Sequence, residues 1–209
     1  LEIDKVRYKG SDNLCHPAKF TLAARHDVKG SKLTINLKEQ AKLVRVYYNS
    51  LPQASGLQWL TPEQTASKTQ PFVYSQSQAI HARSWMPIQD TPAMRVTYNA
   101  RIQTPLDVRA VMSADNKDAQ FKDGDFHFDM PQAIPPYLIA FGAGNLDYQQ
   151  MSHQTAIYAE PTILAAAVAE FDDTQAMIDK TNKMYGEYAW GRYDLLMLPP
   201  SFPFGGMEN

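Results

Sequence analysis

Cysteine is almost absent from this sequence, whose 209 residues include only Cys15. A single cysteine excludes an intrachain disulfide and a metal cluster built from several cysteines. We expect Cys15 to be a small, partly buried residue, because a free cysteine commonly packs as a hydrophobic side chain. The lack of disulfides suits the cytoplasm and the periplasm alike, and of the two compartments we favour the cytoplasm.

An excess of charge of one sign is missing as well. The 20 Lys and Arg residues nearly balance the 22 Asp and Glu residues, which leaves a net charge of −2. Such a chain has no sequence-independent attraction for nucleic acid or for an anionic membrane. Its apolar runs, such as 137–141, are far shorter than the ~18 residues that a membrane-spanning helix needs. We therefore expect a soluble protein whose partners are neither nucleic acid nor membranes.

The motifs of common catalytic and cofactor sites are missing too. The five histidines are His16, His26, His81, His127 and His153. No two of them lie three or four positions apart, so local spacing predicts no zinc site. There is no Gly-x-Ser-x-Gly elbow and no phosphate-binding loop. The segment 142–144 matches a dinucleotide fingerprint only in part, and we expect a turn at a strand end there. These motifs therefore assign no catalytic residue and no metal ligand within this chain.

The residues that are present predict a mainly β fold up to about residue 150. Hydrophobic residues make up 44% of the chain, which is ordinary for a globular protein with a packed core. Apolar and polar residues alternate with period two, as in half-buried strands. We predict strands near 33–37, 44–48, 96–102, 108–112 and 137–141, and a hairpin over 121–128 that turns at 122–125.

The segment 50–94 differs from the strands around it, because five prolines are spread through a polar sequence. Proline removes backbone donors from a sheet, so we predict a long irregular excursion with short strands. Long ordered loops on a β scaffold often carry function. Within this one we expect His81, Arg83 and Asp90 to be structural residues that tie the excursion to the sheet.

After about residue 150 the pattern changes from period two to period 3.6, which is typical of helices. We predict a strand at 156–160, a helix over 163–171 and a second helix that carries the apolar positions of 177–185. Asp172, Asp173 and Thr174 can cap the second helix, and Gly186 ends it. A last strand at 194–198 completes an α/β unit. On the second helix we expect the stripe of Met177, Met184 and Tyr185 to lie in the core.

Two segments stand out chemically, 75–83 and 199–209. Taken alone, the second is a proline-rich loop with one solvated glutamate. Its last five residues, Gly205-Gly206-Met207-Glu208-Asn209, resemble the Gly-Ala/Gly-Met-Glu-Asn exopeptidase motif of the M1 family of zinc aminopeptidases. Four further blocks resemble the leukotriene A4 hydrolase branch of that family and lie at 55–65, 76–81, 89–92 and 190–196.

The resemblance implies a fold and an activity. The fold would be a saddle-like, multi-sheet β domain over 1–150, followed by the start of a thermolysin-like α/β catalytic domain over 151–209. The parent enzyme would be a zinc-dependent aminopeptidase that removes N-terminal residues from peptides. Its zinc motif, His-Glu-x-x-His, would follow the exopeptidase motif. We therefore expect a piece of a longer protein, cut at both ends, that is inactive alone and has the rest of its own catalytic domain as a partner.

The resemblance also implies roles for named residues. Glu208 would hold the free α-ammonium of the peptide substrate, with help from Gln78, while the backbone of 205–207 runs beside the substrate. Phe204 stands where the branch usually has tyrosine, so the substrate pocket would lose a hydroxyl. The implied substrate-binding residues are Gln76, Gln78, Ala79, Pro203, Phe204, Gly205, Gly206, Met207 and Glu208.

A different class of function stays open at this point. The same β-rich chain could be a non-catalytic β-sandwich that serves as an interaction module. The two alternatives differ in what the gene encodes next, because only the enzyme needs a downstream His-Glu-x-x-His.

Overall fold

The period-two pattern of the sequence folds into several short sheets rather than one large sheet. The computed structural model describes residues 1–117 and 119–209. The α-helices are α1 (Pro161–Glu170) and α2 (Thr174–Tyr185), and 3₁₀ turns lie at Pro62–Gln64, Ala82–Ser84 and Pro136–Leu138. The strands are β1 (Glu2–Lys9), β2 (Cys15–Leu22), β3 (Leu33–Asn36), β4 (Leu43–Asn49), β5 (Leu57–Leu60), β6 (Phe72–Ser75), β7 (Val96–Gln103), β8 (Arg109–Met112), β9 (Asp115–Asn116), β10 (Asp125–Ile134), β11 (Phe141–Gly144), β12 (Asp147–Gln150), β13 (Thr155–Ala159) and β14 (Tyr193–Leu196).

Three of the sheets are antiparallel, with strand orders β3-β2-β1-β4, β7-β10-β9 and β5-β6-β11-β8. The fourth, β12-β13-β14, is mixed, because β13 pairs antiparallel with β12 and parallel with β14. Helices α1 and α2 form the connection between β13 and β14. The mainly β, multi-sheet fold predicted from the sequence is confirmed. The predicted change to helices and strands after residue 155 is confirmed as well.

The sheet of β5, β6, β11 and β8, called the middle sheet below, lies between the β7-β10-β9 sheet and the α/β unit. Strand β6 is buried on both faces, which directs Phe72 and Tyr74 to one side and Val73 to the other. Val73 packs into a cluster with Phe126 and Phe128 of β10. On the opposite face, Phe72 and Tyr74 pack with Leu146, which directly precedes β12, and with Tyr158 of β13. The middle sheet therefore connects the β7-β10-β9 sheet to the α/β unit.

Residues 142–144 lie inside strand β11, so the prediction of a turn at a strand end is wrong there. Gly144 faces the Phe72 ring so closely that a Cβ at this position would lie 2.7 Å from Phe72 Cε2. A Cβ at Gly142 would lie 2.9 Å from Cδ2 of Leu196. The glycines thus serve close packing of the middle sheet and not a change of chain direction.

The predicted hairpin over 121–128 is also wrong, because β10 pairs with β7, a strand more than twenty positions earlier in the sequence. The eight-residue alternating strand β7 offers a longer partner, with Phe128 opposite Ala100. Gly124 does adopt a positive φ of 79°, and its carbonyl accepts a hydrogen bond from Thr104 N at 2.9 Å. Phe121 belongs to no strand and is 55% exposed.

The apolar run at 137–141 is not a strand either. Pro136 opens a 3₁₀ turn over Pro136–Leu138, because proline has a φ suited to the first position of a helical turn. Leu138 N donates to Pro135 O at 3.0 Å, and the strand begins only at Phe141.

The first helix confirms its prediction, since its apolar face packs on Ile157 and Ala159 of β13. The second helix has its N-cap within the predicted segment 172–174, at Asp173. Asp173 makes no side-chain capping bond, and the hydroxyl of Thr174 donates to Phe171 O at 2.7 Å. Gly186 ends α2 with a φ of 98°, as predicted.

The apolar stripe of α2 is exposed, so its assignment to the core is wrong. Met177, Met184 and Tyr185 are 58%, 61% and 79% exposed. The helix packs instead through Thr174 and Ile178 near its N-terminus, and no residue of 179–185 is buried. Neither α1 nor α2, the α-helices of the described ranges, is long and apolar enough to cross a membrane.

Cys15 is exposed rather than partly buried. It starts β2, where the odd-numbered positions point outward and His16, Ala18 and Phe20 point toward the more covered face. The strand's alternation therefore decides the exposure of the thiol, against the general tendency of free cysteine.

Candidate functional site

The two segments that stand out in the sequence meet at one cleft. Its volume is about 470 Å³. One wall comes from the hairpin of β5 and β6, and the other from the loop after β14. The side chains that line the cleft are Ser55, Gln58, Leu60, Gln64, Tyr74, Gln76, Gln78, His81, Ser201, Phe202, Pro203 and Phe204.

The Gln76 side chain joins the two segments. Its amide nitrogen lies 3.9 Å from Sδ of Met207, and its Oε1 accepts a hydrogen bond from Gln78 N at 2.9 Å. These contacts fix which end of the Gln76 amide faces each segment. The peptide bond between Gln78 and Ala79 is cis. Gln78 is exposed and lines the cleft, whereas Ala79 is exposed outside its lining.

Aromatic rings run from the β5/β6 wall to the opposite wall. The Tyr74 and Phe202 rings meet edge to face with centroids 5.5 Å apart, and Phe202 meets Phe204 in the same way at 5.5 Å. Tyr74 is 4% exposed while Phe204 is 52% exposed, so the three rings lead from the core to the cleft mouth. Burial raises the pKa of the Tyr74 phenol. The cleft therefore offers an apolar surface beside several amide side chains.

The glycine-containing segment lies at the rim. Gly205 and Gly206 are exposed, and a Cβ at either would meet no atom within 4 Å. Glu208 is exposed and lies outside the cleft lining. The structure thus brings Gln76, Gln78, Pro203 and Phe204 into the cleft, with Met207 in contact with Gln76. It leaves Ala79, Gly205, Gly206 and Glu208 outside the lining.

Comparison with known proteins shows the family of this chain. Residues 5–138 match the family model of the peptidase M1 N-terminal domain. The chain belongs to the M1 peptidase family. The resemblance found in the exopeptidase motif and the other blocks is therefore confirmed.

Relatives within the M1 family align with the whole chain. Leukotriene A-4 hydrolase of Xenopus laevis is 40% identical over 219 residues, which is 100% of this chain and 35% of the relative. Leucine aminopeptidase 2 of Yarrowia lipolytica is 41% identical over 213 residues, again 100% of this chain and 32% of the relative. The solved structure of native leukotriene A4 hydrolase from Saccharomyces cerevisiae superposes with a TM-score of 0.87 at 33% identity, covering 99% of this chain and 32% of that one. The M1 chain described here spans about a third of the length of these relatives.

The cleft is also lined by residues that the sequence analysis did not predict. Gln58 and Leu60 project from one face of β5, and Gln64 follows on the adjoining 3₁₀ turn. Their block at 55–65 carried the family resemblance, and the i, i+2 spacing of Gln58 and Leu60 could have placed them on one face. Tyr74 on β6 also lines the cleft and was not predicted to do so.

The three residues predicted to tie the excursion to the sheet do make structural contacts, but these reach the loop between β2 and β3 or stay within the excursion. Arg83 Nη1 donates to the carbonyls of Val28 and Lys29 at 3.2 and 2.9 Å, and its Nε lies 3.2 Å from Oδ2 of the buried Asp90. His81 Nδ1 lies 2.7 Å from Oγ of Ser55. His81 also lines the cleft, which its structural role did not predict.

One structural neighbour is an M1 zinc metallopeptidase from Deinococcus radiodurans, at 17% identity and a TM-score of 0.68. The residues described here do not fit a zinc site. Within 1–117 and 119–209, no group of three or more His, Cys, Asp or Glu side chains is placed to hold a metal ion. A zinc site needs at least three protein ligands in fixed geometry.

Proposed function

We propose that this chain supplies N-terminus recognition to a zinc aminopeptidase that removes N-terminal residues from peptides. The observation that supports the proposal most is the contact of Met207, in the exopeptidase-like segment 205–209, with Gln76, which lines the cleft together with Gln78. We propose residues 1–150 as the β domain and 151–209 as the beginning of the catalytic domain.

In this proposal Glu208 and Gln78 hold the substrate's α-ammonium. A carboxylate paired with an ammonium forms a charge-assisted hydrogen bond, which is about twice as strong as a neutral one. Gln78 contributes a side-chain carbonyl that can accept a second ammonium proton. An internal peptide segment has a neutral amide at that position and would leave Glu208 unpaired, so the pair selects free N-termini.

The backbone of 205–207 lies beside the substrate in the same proposal. An extended peptide binds such a segment as an added strand, through main-chain hydrogen bonds. The open space beside Gly205 and Gly206 leaves room for the approaching chain. Pro203, Phe204 and Ala79 complete the surface around the first substrate residue, with Phe204 offering a ring edge in place of a tyrosine hydroxyl.

Zinc in the parent enzyme would supply the activated water that attacks the scissile bond. The residues of this chain bind and orient the substrate for that attack. Its partners in this account are a peptide with a free N-terminus and the rest of its own catalytic domain. The cytoplasmic location expected from the sequence stays a prediction.

The full-length protein tests this function. Purified protein should hydrolyse aminoacyl p-nitroanilides, lose the activity with a zinc chelator and regain it with added zinc. A full-length protein that is folded, zinc-loaded and inactive on every aminoacyl and tripeptide substrate would contradict the proposal. It would favour the alternative, a non-catalytic interaction module.

A further inference from the structure

Glu160 is a buried carboxylate for which the proposed function has no use. Its side chain is 2% exposed, and it lies between the end of β13 and the first turn of α1. Although it occupies the N-cap position of α1, its side chain makes no capping bond to that helix. A buried carboxylate is costly unless its oxygens find donors, so its partners show its role.

Both oxygens of Glu160 bind a distant backbone turn. Oε1 accepts a hydrogen bond from Ala66 N and Oε2 one from Ser67 N, each at 2.8 Å, across 94 and 93 positions of sequence. The turn is braced internally by the buried Thr65, whose hydroxyl accepts from Lys68 N at 3.1 Å and donates to Pro62 O at 2.8 Å. Glu160 therefore holds a well-defined turn by two adjacent amides.

That turn connects the two strands of one cleft wall. Strand β5 before it carries Gln58 and Leu60, and strand β6 after it leads from Tyr74 to Gln76. The opposite wall, 201–204, follows β14. Strand β14 is the parallel partner of β13, and just beyond it Met197 N donates to Tyr158 O at 2.8 Å. Glu160 thus attaches the α/β unit that carries one wall to the loop that supports the other.

We propose that Glu160 is a positioning residue that sets the spacing of the two walls of the substrate cleft. The inference rests on the proposed function, since it assigns the cleft to the first residues of a peptide. A carboxylate suits the task because two parallel N–H donors need two acceptor atoms. A glutamine offers one acceptor, and its NH₂ group would face a second donor.

The test uses the full-length protein with Glu160→Gln and Glu160→Asp. Glu170→Gln, an exposed position on the same helix, is the matched control. Amide hydrogen exchange is followed over 61–71, which contains the turn, and over 72–78, which contains the wall. In parallel, kcat and KM are measured for alanyl and phenylalanyl p-nitroanilides, which differ in how much of the cleft they fill.

For Glu160→Gln we expect faster exchange over both segments and a change of about tenfold or more in the ratio of the two specificity constants, mainly through KM. Glu160→Asp keeps both acceptors and should restore much of the ratio, and Glu170→Gln should match the wild type. Faster exchange confined to 61–71 with an unchanged ratio would overturn the proposal, because Glu160 would then stabilise only its own turn. An unchanged exchange over both segments would overturn it as well.

The exchange measurement separates this inference from the proposed function. If the wild-type protein cleaves no peptide, the proposed function fails while exchange over 72–78 still reports on the wall. Faster exchange there would leave Glu160 as the residue that fixes the cleft, whatever the cleft binds. Unchanged exchange would remove that role.

Discussion

Gln76 and Met207 are in contact, with the Gln76 side-chain nitrogen 3.9 Å from the Met207 sulfur across 131 positions of sequence. The same Gln76 side chain accepts a hydrogen bond from Gln78 N at 2.9 Å. One amide therefore connects the polar excursion with the exopeptidase-like segment. The proposed recognition of free N-termini depends on this connection, because Gln78 and Glu208 lie in the segments it joins.

Glu208→Ala should weaken the recognition of free N-termini in the full-length enzyme. The variant loses a hydrogen bond between charged partners, which contributes ~1.5–3 kcal/mol. We therefore expect kcat/KM on an aminoacyl amide to fall about 10- to 150-fold. The measurement is a steady-state comparison of the variant with the wild type.

Glu187→Ala is the control for this change. Glu187 is another exposed carboxylate, with no place in the proposed site, and its removal should leave kcat/KM within a factor of two or so of the wild type. Equal and small effects at both positions would show that Glu208 is an ordinary loop carboxylate.

Gly144→Ala should destabilise the fold. The added Cβ would lie 2.7 Å from Phe72 Cε2, and Phe72 is 2% exposed and has little room to move. Overpacking of this kind costs about 1–3 kcal/mol. Thermal or urea unfolding of the full-length protein should show the loss.

Gly205→Ala is the matched substitution for that measurement. Its Cβ would meet no atom within 4 Å, so the unfolding midpoint should stay close to that of the wild type. A Gly144→Ala protein as stable as Gly205→Ala would mean that the approach of β11 to Phe72 is looser than described.

The sequence predicted those elements whose patterns repeat locally. Helix α1 and strand β7 have apolar residues at clear helical and alternating spacing, and both formed where expected. The hairpin at 121–128 failed because turn chemistry at Gly124 fixes a change of direction but not the partner of β10. That partner, β7, lies more than twenty positions earlier, and local pattern does not encode pairing over such a distance.

The candidate site was likewise predicted only in part. The family motifs identified the segments that carry Gln76 and Met207, and the structure shows that these segments meet. Tyr74 and His81 were not predicted to line the cleft, since their placement depends on how the excursion packs against the loop after β14. The exposure of Met184 on α2 could not be predicted either, because helical spacing shows that apolar residues share a face but not whether another element packs on that face.

Tyr98 predicts how stability depends on alkaline pH. Burial raises the pKa of its phenol to about 12, and its hydroxyl donates to Ser113 O at 2.6 Å. The folded protein therefore favours the neutral phenol. This contribution is fully present below the ordinary tyrosine pKa of ~10 and is lost as the pH rises from there toward 12.

Tyr98→Phe should accordingly be less stable than the wild type at pH 9, by about 1 kcal/mol for the lost hydrogen bond. The difference should shrink as denaturation is repeated at pH 10 and 11. Tyr185→Phe, at a position that is 79% exposed, should follow the wild type throughout. A constant difference between Tyr98→Phe and the wild type would refute the assignment.

The 209-residue chain alone should hold no stoichiometric zinc. Across the two described ranges, no three potential ligand side chains come together, and zinc sites need at least three in fixed geometry. Metal analysis after dialysis should find well under one zinc per chain. One equivalent that survives dialysis would show a site that the described residues do not reveal.

The most direct test of the central claim compares two peptides that differ only at the N-terminus. Full-length protein is given a tripeptide with a free α-amine and the same tripeptide N-acetylated, and kcat/KM is measured for each. If Glu208 and Gln78 recognise the ammonium, the free peptide should be preferred by at least about 100-fold, because acetylation removes the charge and leaves the carboxylate unpaired. Cleavage of both peptides at similar rates would contradict N-terminus recognition as the role of this chain.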